Sequence, residues 1–185
     1  LVGSEMCIRD SVDIESISFS QEAVRFHLKD ESELQSYMIA RIEKYLNDKG
    51  REIIGWDEIL DGGLAPNATV MSWRGTEGGI AAARMGHYAI MTPESHCYLD
   101  HYQDDPETQP LAFGACIPIG QTYSYDPAPD SLGSDICKYI LGVQGNVWAE
   151  YLPTYEHAEY MIYPRIIALA EVCLLYTSDA ADEAR

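Results

Sequence analysis

Two carboxylates stand side by side next to a tryptophan in residues 51–60, R-E-I-I-G-W-D-E-I-L. Paired carboxylates near a sugar-binding surface are the groups that usually hydrolyse glycosidic bonds, which makes Asp57 and Glu58 the first candidates for an acid pair. Adjacent residues of a strand point to opposite faces, however, so these two carboxylates would not easily flank one bond. We therefore interpret the pair as local support for a strand end and the loop after it.

The three tryptophans of the chain, Trp56, Trp73 and Trp148, each lie at or near the end of a predicted strand. In (β/α) barrels the C-terminal strand ends form the active-site face, so three indoles there would converge on one pocket. Flat aromatic walls suit sugars, whose C–H faces are apolar, and a few placed polar groups then orient the ligand. Asp100 and Glu150 are candidates to accept hydrogen bonds from sugar hydroxyls.

The elements that must position these residues alternate between strand and helix. Short apolar runs predict four strands, at residues 52–56, 69–73, 88–91 and 139–144. Helical spacing predicts three helices, at about 30–50, 76–86 and 154–172, with a kink or break at Pro164. The long segment from Thr92 to Ser134 is predicted to be irregular and, because it carries many aromatic residues, functional rather than disordered.

This order of elements predicts a parallel α/β architecture. Four strands with crossovers make half of an eight-stranded (β/α) barrel, since a complete barrel needs about 250 residues and the chain has 185. An open doubly wound sheet is the alternative. No G-x-G-x-x-G follows a strand, so a dinucleotide site has no support.

Composition excludes several classes of partner. The net charge of −18 argues against a nucleic-acid binder and against a polybasic membrane contact. No run approaches the roughly 18 apolar residues of a transmembrane helix, and none is predicted. The five cysteines are scattered without C-x-x-C spacing, which argues against a metal or redox site and predicts buried thiols.

Both ends of the chain differ in character from the middle. Residues 1–11 carry no periodicity, and residues 173–185 follow abruptly on a helical pattern. Both resemble translated sequencing-adapter read-through, so we predict that they are non-native segments flanking one domain at residues 12–172. A frayed N-terminus and an acidic solvated tail are the alternative interpretation.

Several separate motifs carry a specific resemblance: I-I-G-W-D-E-I, V-M-S-W-R-G, S-H-C-Y-L-D-H-Y-Q, G-N-V-W-A-E and A-E-Y-M-I-Y-P-R. In this order and spacing, from about Leu28 to Val172, they resemble the C-terminal half of family 20 glycoside hydrolases, the β-N-acetylhexosaminidases. The resemblance implies a (β/α)8 TIM barrel, of which this chain holds roughly strands 5–8. It also implies exo-acting, retaining, substrate-assisted removal of terminal β-linked N-acetylglucosamine or N-acetylgalactosamine, with no metal or organic cofactor.

The resemblance gives roles to six residues as substrate-binding groups. It implies that Trp56 and Trp73 wall the pocket for the acetamido methyl, and that Tyr98 donates a hydrogen bond to the acetamido oxygen. Asp100 would be a nearby polar wall contact. Trp148 would stack under the sugar ring. Glu150, by the same resemblance, would bind hydroxyls at the far, non-reducing edge.

The family's catalytic Asp-Glu lies in an H-x-G-G-D-E motif, which does not occur in this chain. We therefore expect the acid pair upstream, no catalytic residue in these 185 residues, and no activity of this piece alone. A non-catalytic N-acetylhexosamine-binding relative with the same pocket is the alternative function. No signal peptide is visible, but the family implies a periplasmic or secreted location. The oligomeric state stays open.

Overall fold

The structure is a computed structural model that describes residue 26 and residues 28–182. Its strands are β1 (Ile54–Trp56), β2 (Thr69–Ser72), β3 (Ala89–Met91), β4 (His101–Tyr102), β5 (Phe113–Cys116) and β6 (Ile140–Val143). Its helices are α1 (Glu31–Asn47), α2 (Glu77–Arg84), α3 (Glu94–Cys97), α4 (Ile119–Tyr123), α5 (Ser134–Cys137), α6 (Tyr155–Ile162) and α7 (Arg165–Asp182). Single 3-10 turns cover Asp57–Leu60, Pro106–Thr108, Asp130–Leu132 and Ala149–Tyr151.

The four predicted strands form one parallel sheet in the order β1-β2-β3-β6. Sequential strands are neighbours, and the segments between them return over the sheet, as in a (β/α) barrel. All four residues of β2 are buried, because this strand has a neighbour on each side and is covered by a helix. The pairing register between β3 and β6 shifts after Ala89. On β6, Gly142 lies at this shift with a positive φ of 145°, a conformation that favours glycine.

Helix α1 begins and ends at local signals in the sequence. The Asp30 side chain accepts a hydrogen bond from the Glu33 backbone N–H at 2.9 Å, which satisfies one of the free amides of the first turn. The helix ends at Asn47, and Gly50 at φ +69° turns the chain towards β1. The break predicted at Pro164 is also present, between α6 and α7.

Two apolar clusters hold the helices against the sheet. One joins Ile39 of α1 and Ala82 of α2 to Val70 of β2. The other joins Leu169 of α7 to Met91 of β3, together with Tyr125 from the long segment. Burial of these side chains fixes the helices on one face and leaves the C-terminal strand ends open for loops.

Parts of the sheet and helices remain uncovered. Among residues 28–182, no strand pairs with the outer edge of β1 or of β6. Leu141 of β6 and Ile167 of α7 are 53% and 60% exposed, which is unusual for large apolar residues of a barrel. The arrangement is that of a partial (β/α) barrel. No helix in the described part of the chain has the length and apolar character needed to cross a membrane.

Three sequence-based expectations need correction. The segment 92–134 is not wholly irregular: it holds α3, α4 and the β4–β5 pair, because its backbone amides need partners. The last helix continues past Val172 to Asp182, since no Gly or Pro interrupts it. Cys97 is buried as predicted, whereas Cys116 is exposed and Cys137 and Cys173 are only partly buried. The proposed non-native residues 1–11 lie outside the described residues, and the domain limits stay a prediction.

Candidate functional site

The ends of the parallel strands bring the predicted site residues to one edge of the sheet. Trp56 is the last residue of β1, and Trp73 directly follows β2. The register aligns the ends of β1, β2 and β3. Tyr98 and Trp148 come from the loops after β3 and β6, which are joined by an isolated parallel bridge between Tyr98 and Asn146.

Four aromatic side chains form one continuous group there, the aromatic cluster of Trp56, Trp73, Tyr98 and Trp148. The rings of Trp56 and Trp148 have centroids 5.8 Å apart at 45°, and those of Trp73 and Tyr98 are 6.5 Å apart at 33°. The Trp148 side chain lies close enough to the Tyr98 hydroxyl to lower the pKa of Tyr98, so the two pairs adjoin. Trp148 is 46% exposed, so one side of the cluster is open to a ligand.

The Tyr98 hydroxyl keeps its proton at neutral pH and can donate a hydrogen bond. Burial raises the pKa of Tyr98 to about 12, although hydrogen bonds with the Trp148 and Asn146 side chains act in the opposite direction. An indole N–H only donates, so the phenol oxygen can act only as an acceptor towards Trp148. The phenol proton therefore remains available for a ligand.

Asp100 and His101 form the buried layer next to Tyr98. Asp100 is 4% exposed, and its Oδ1 has no hydrogen-bond partner within the described part of the chain. Burial raises the pKa of the Asp100 carboxyl, while its own backbone amide, the charge of His101 and the backbone N–H of Trp148 lower it. His101 packs edge-on against Tyr98, with ring centroids 5.7 Å apart. A carboxylate oxygen thus lies unsatisfied beneath the aromatic cluster.

Glu150 differs from these residues in that its carboxylate has no partner in the described part of the chain. It is exposed in the 3-10 turn after Trp148, and no described side chain or backbone group forms a hydrogen bond or ion pair with its carboxylate. The structure thus brings the four aromatic residues together and puts Asp100 beside them. Glu150 lies on the loop that carries Trp148, two residues further along, and its carboxylate is free.

Asp57 and Glu58 lie in a 3-10 turn rather than on a strand, so they do not point to opposite faces as expected, and both face the segment after β2. Asp57 is 2% exposed and accepts hydrogen bonds from the backbone N–H groups of Trp73 and Arg74 at 3.2 and 3.3 Å. Its other oxygen pairs with Nε of Arg74 at 2.7 Å. The carboxylate of Glu58 accepts the Trp73 indole N–H, at 2.9 and 3.1 Å. These contacts agree with local support and leave no acid pair flanking a common space.

Asn146 has a positioning role that sequence reasoning missed. Its backbone N–H and C=O bond to Cys97 and Leu99 at 2.8 and 2.7 Å, on either side of Tyr98. Its side chain donates to Thr92 Oγ1 at 2.7 Å. Asn146 therefore connects the loop after β3 to the loop after β6. Its place in the G-N-V-W-A-E motif, two residues before Trp148, was the available signal.

Arg165 is a second residue that sequence reasoning left without a role. Its side chain is fully buried and donates to the carbonyls of Leu99, Ile117 and Met161 at 2.7, 3.1 and 2.7 Å. Burial lowers the pKa of Arg165 to about 10, against the opposing charge of Asp100. Since Leu99 lies between Tyr98 and Asp100, the guanidinium fixes the backbone that carries both residues.

Comparison with known proteins gives one family. A family model described as "Glycosyl hydrolase family 20, catalytic domain" matches residues 13–174. The β-hexosaminidase of Porphyromonas gingivalis is 53% identical over 173 residues, which cover 92% of this chain and 22% of that protein. The β-hexosaminidase of Vibrio furnissii is 34% identical over 144 residues, covering 76% of this chain and 24% of that protein.

A solved structure agrees with these sequence matches. The crystal structure of the GH20 exo β-N-acetylglucosaminidase from Vibrio harveyi, in complex with N-acetylglucosamine, superimposes with a TM-score of 0.73 at 29% identity. The superposition covers 82% of this chain and 24% of that protein. The chain thus spans about a quarter of the length of the relatives it matches. The predicted fold class, a partial (β/α)8 barrel, is confirmed.

Proposed function

Since the chain belongs to glycosyl hydrolase family 20, we propose that it is part of an exo-acting, retaining β-N-acetylhexosaminidase. The whole protein would remove terminal β-linked N-acetylglucosamine or N-acetylgalactosamine from an oligosaccharide. The observation that carries this proposal is the aromatic cluster at the C-terminal strand ends, with a protonated Tyr98 hydroxyl between Trp73 and Trp148.

The proposed reaction is assisted by the substrate. The acetamido oxygen of the sugar attacks its own anomeric carbon and forms an oxazolinium-like intermediate, while the bond to the leaving oxygen breaks. A glutamic acid protonates that oxygen and then takes a proton from the water that opens the intermediate. This acid lies upstream in the proposal, because the H-x-G-G-D-E motif is absent from the chain. The chain's own residues therefore bind and orient the substrate.

The acetamido group is the part of the substrate that these residues must place. Trp56 and Trp73 provide apolar ring surface for the acetamido methyl. The Tyr98 hydroxyl donates a hydrogen bond that orients the acetamido oxygen towards the anomeric carbon. Holding a nucleophile in attack geometry can contribute about 7–11 kcal/mol to lowering a barrier. A donor with a pKa near 12 suits this role, because it stays protonated while it polarises the oxygen.

The remaining residues are proposed to bind the ring and its rim. Trp148 is exposed on the open side of the cluster, where an indole face can cover the apolar C–H face of a sugar. The unpaired Oδ1 of Asp100 and the free carboxylate of Glu150 can accept hydrogen bonds from sugar hydroxyls. A rim closed by these groups at the non-reducing end would restrict the enzyme to terminal sugars.

Hydrolysis of p-nitrophenyl N-acetyl-β-glucosaminide tests the proposal. The full-length protein should release p-nitrophenol with the β-anomer of N-acetylglucosamine as the first product, observed by proton NMR. The 185-residue chain alone should be inactive. Saturable binding of N-acetylglucosamine without turnover by the full-length protein would favour the non-catalytic relative instead. Release of the α-anomer first would contradict the retaining mechanism.

A further inference from the structure

Trp73 lies directly after the end of β2, outside the hydrogen-bond ladder of the sheet. β2 ends at Ser72, so the next two residues are outside the ladder of hydrogen bonds. The Asp57 carboxylate takes over from the sheet by accepting both backbone N–H groups, of Trp73 and Arg74. Because Asp57 is 2% exposed, these bonds lie in a region of low dielectric and are strengthened.

The side chain of Trp73 is fixed separately, by Glu58. An indole has a single polar atom, the Nε1–H donor, and here it donates to both carboxylate oxygens of Glu58. Tyr98 packs against the same indole, with ring centroids 6.5 Å apart. A rigid ring whose backbone and distal nitrogen are both fixed has one orientation.

We propose that Glu58 is a positioning residue that sets the orientation of the Trp73 indole, with Asp57 fixing the backbone beneath it. This inference rests on the proposed function, in which Trp73 forms a wall of the acetamido pocket. Glu58 would then control which N-acyl groups the enzyme accepts, although it does not touch the substrate. The two adjacent acids of the W-D-E sequence thus act on one tryptophan 15 residues away from Glu58.

The test uses the full-length enzyme and two substrates, the p-nitrophenyl β-glucosaminides with N-acetyl and N-propionyl groups. For Glu58→Ala, kcat on the N-acetyl substrate should fall by about 10²-fold, as expected for a small misplacement of a reacting group, and KM should change less. The preference for N-acetyl over N-propionyl should fall as well. Glu58→Gln should retain most of the activity, because its amide oxygen can still accept the indole N–H.

Two further variants separate positioning from general loss of structure. Glu52→Ala removes an exposed carboxylate just before β1 and should leave both kcat and the N-acyl preference unchanged. Trp73→Phe removes the indole N–H from the other side of the same hydrogen bond and keeps an aromatic ring. It should lower the N-acyl preference in the same way, and adding Glu58→Ala to it should have little further effect.

The outcomes distinguish the inference from the function on which it rests. An equally large effect of Glu58→Ala in the Trp73→Phe enzyme would overturn the inference. So would a loss of about 10²–10⁴-fold for Glu58→Gln, which is the signature of a general acid. If Trp73→Ala lowers turnover but Glu58→Ala does not, only the inference is wrong. If Trp73→Ala has no effect, the proposed acetamido wall is wrong and the inference fails with it.

Discussion

Replacement of Arg165 by methionine tests the largest fully buried side chain in the described part of the chain. The guanidinium is fully buried and donates to the carbonyls of Leu99, Ile117 and Met161. Methionine has a similar length but no donor, so Arg165→Met leaves these three carbonyls without a partner. The change therefore removes the hydrogen bonds while it keeps most of the packing.

The expected loss follows from two opposing terms. Each buried carbonyl left unsatisfied costs about 1–3 kcal/mol, so three of them cost roughly 3–9 kcal/mol. The substitution also removes the cost of burying a charge, the same cost that lowers the pKa of Arg165 to about 10. Removal of one partner from a buried charged arrangement typically costs about 3–5 kcal/mol, and we expect a loss in that range.

Urea unfolding of the full-length protein, followed by tryptophan fluorescence, measures this loss. Arg165→Lys should be intermediate, because one ammonium group cannot reach three carbonyls in the geometry of the guanidinium. Arg84→Met, at the exposed end of α2, is the matched control and should change stability by less than about 0.5 kcal/mol. A loss for Arg165→Met no larger than that of the control would refute the assignment of Arg165 as the residue that holds the Tyr98 loop.

Three further predictions concern the site. Tyr98→Phe should lower kcat by about 10²-fold or more with a small change in KM, as removal of one positioned donor does, and an unchanged kcat in steady-state assays would contradict the proposed role. Trp148→Ala should raise KM by about tenfold, since loss of about 1.4 kcal/mol of ring stacking corresponds to that factor, and an unaltered KM would argue against stacking. Burial lowers the pKa of His101 below its ordinary 6.5, against the charges of Asp100 and Glu94, so the folded chain binds fewer protons there than the unfolded chain does. The free energy of unfolding should therefore fall as the pH drops below 6.5, and His101→Asn should flatten this dependence in unfolding curves measured at several pH values. An equally steep dependence in the variant would show that other groups cause it.

The sequence alone determined the local elements and their order. Apolar runs and prolines are short-range signals, so the four strands of the sheet and the break at Pro164 could be read without coordinates. The position of the tryptophans at strand ends followed from the same pattern. Because parallel strands end at a common edge, their convergence was predictable from the order of elements alone.

Contacts between distant segments were decided by the tertiary structure. Glu58 reaches Trp73 because β1 and β2 are in parallel register, and Arg165 reaches Leu99 across 66 residues because α7 packs behind the loop after β3. No local pattern encodes such pairings, since each depends on how the crossovers place one loop beside another. For that reason the sequence could name Trp73, Tyr98 and Trp148 as site residues, while only the fold revealed which buried polar groups hold them in place.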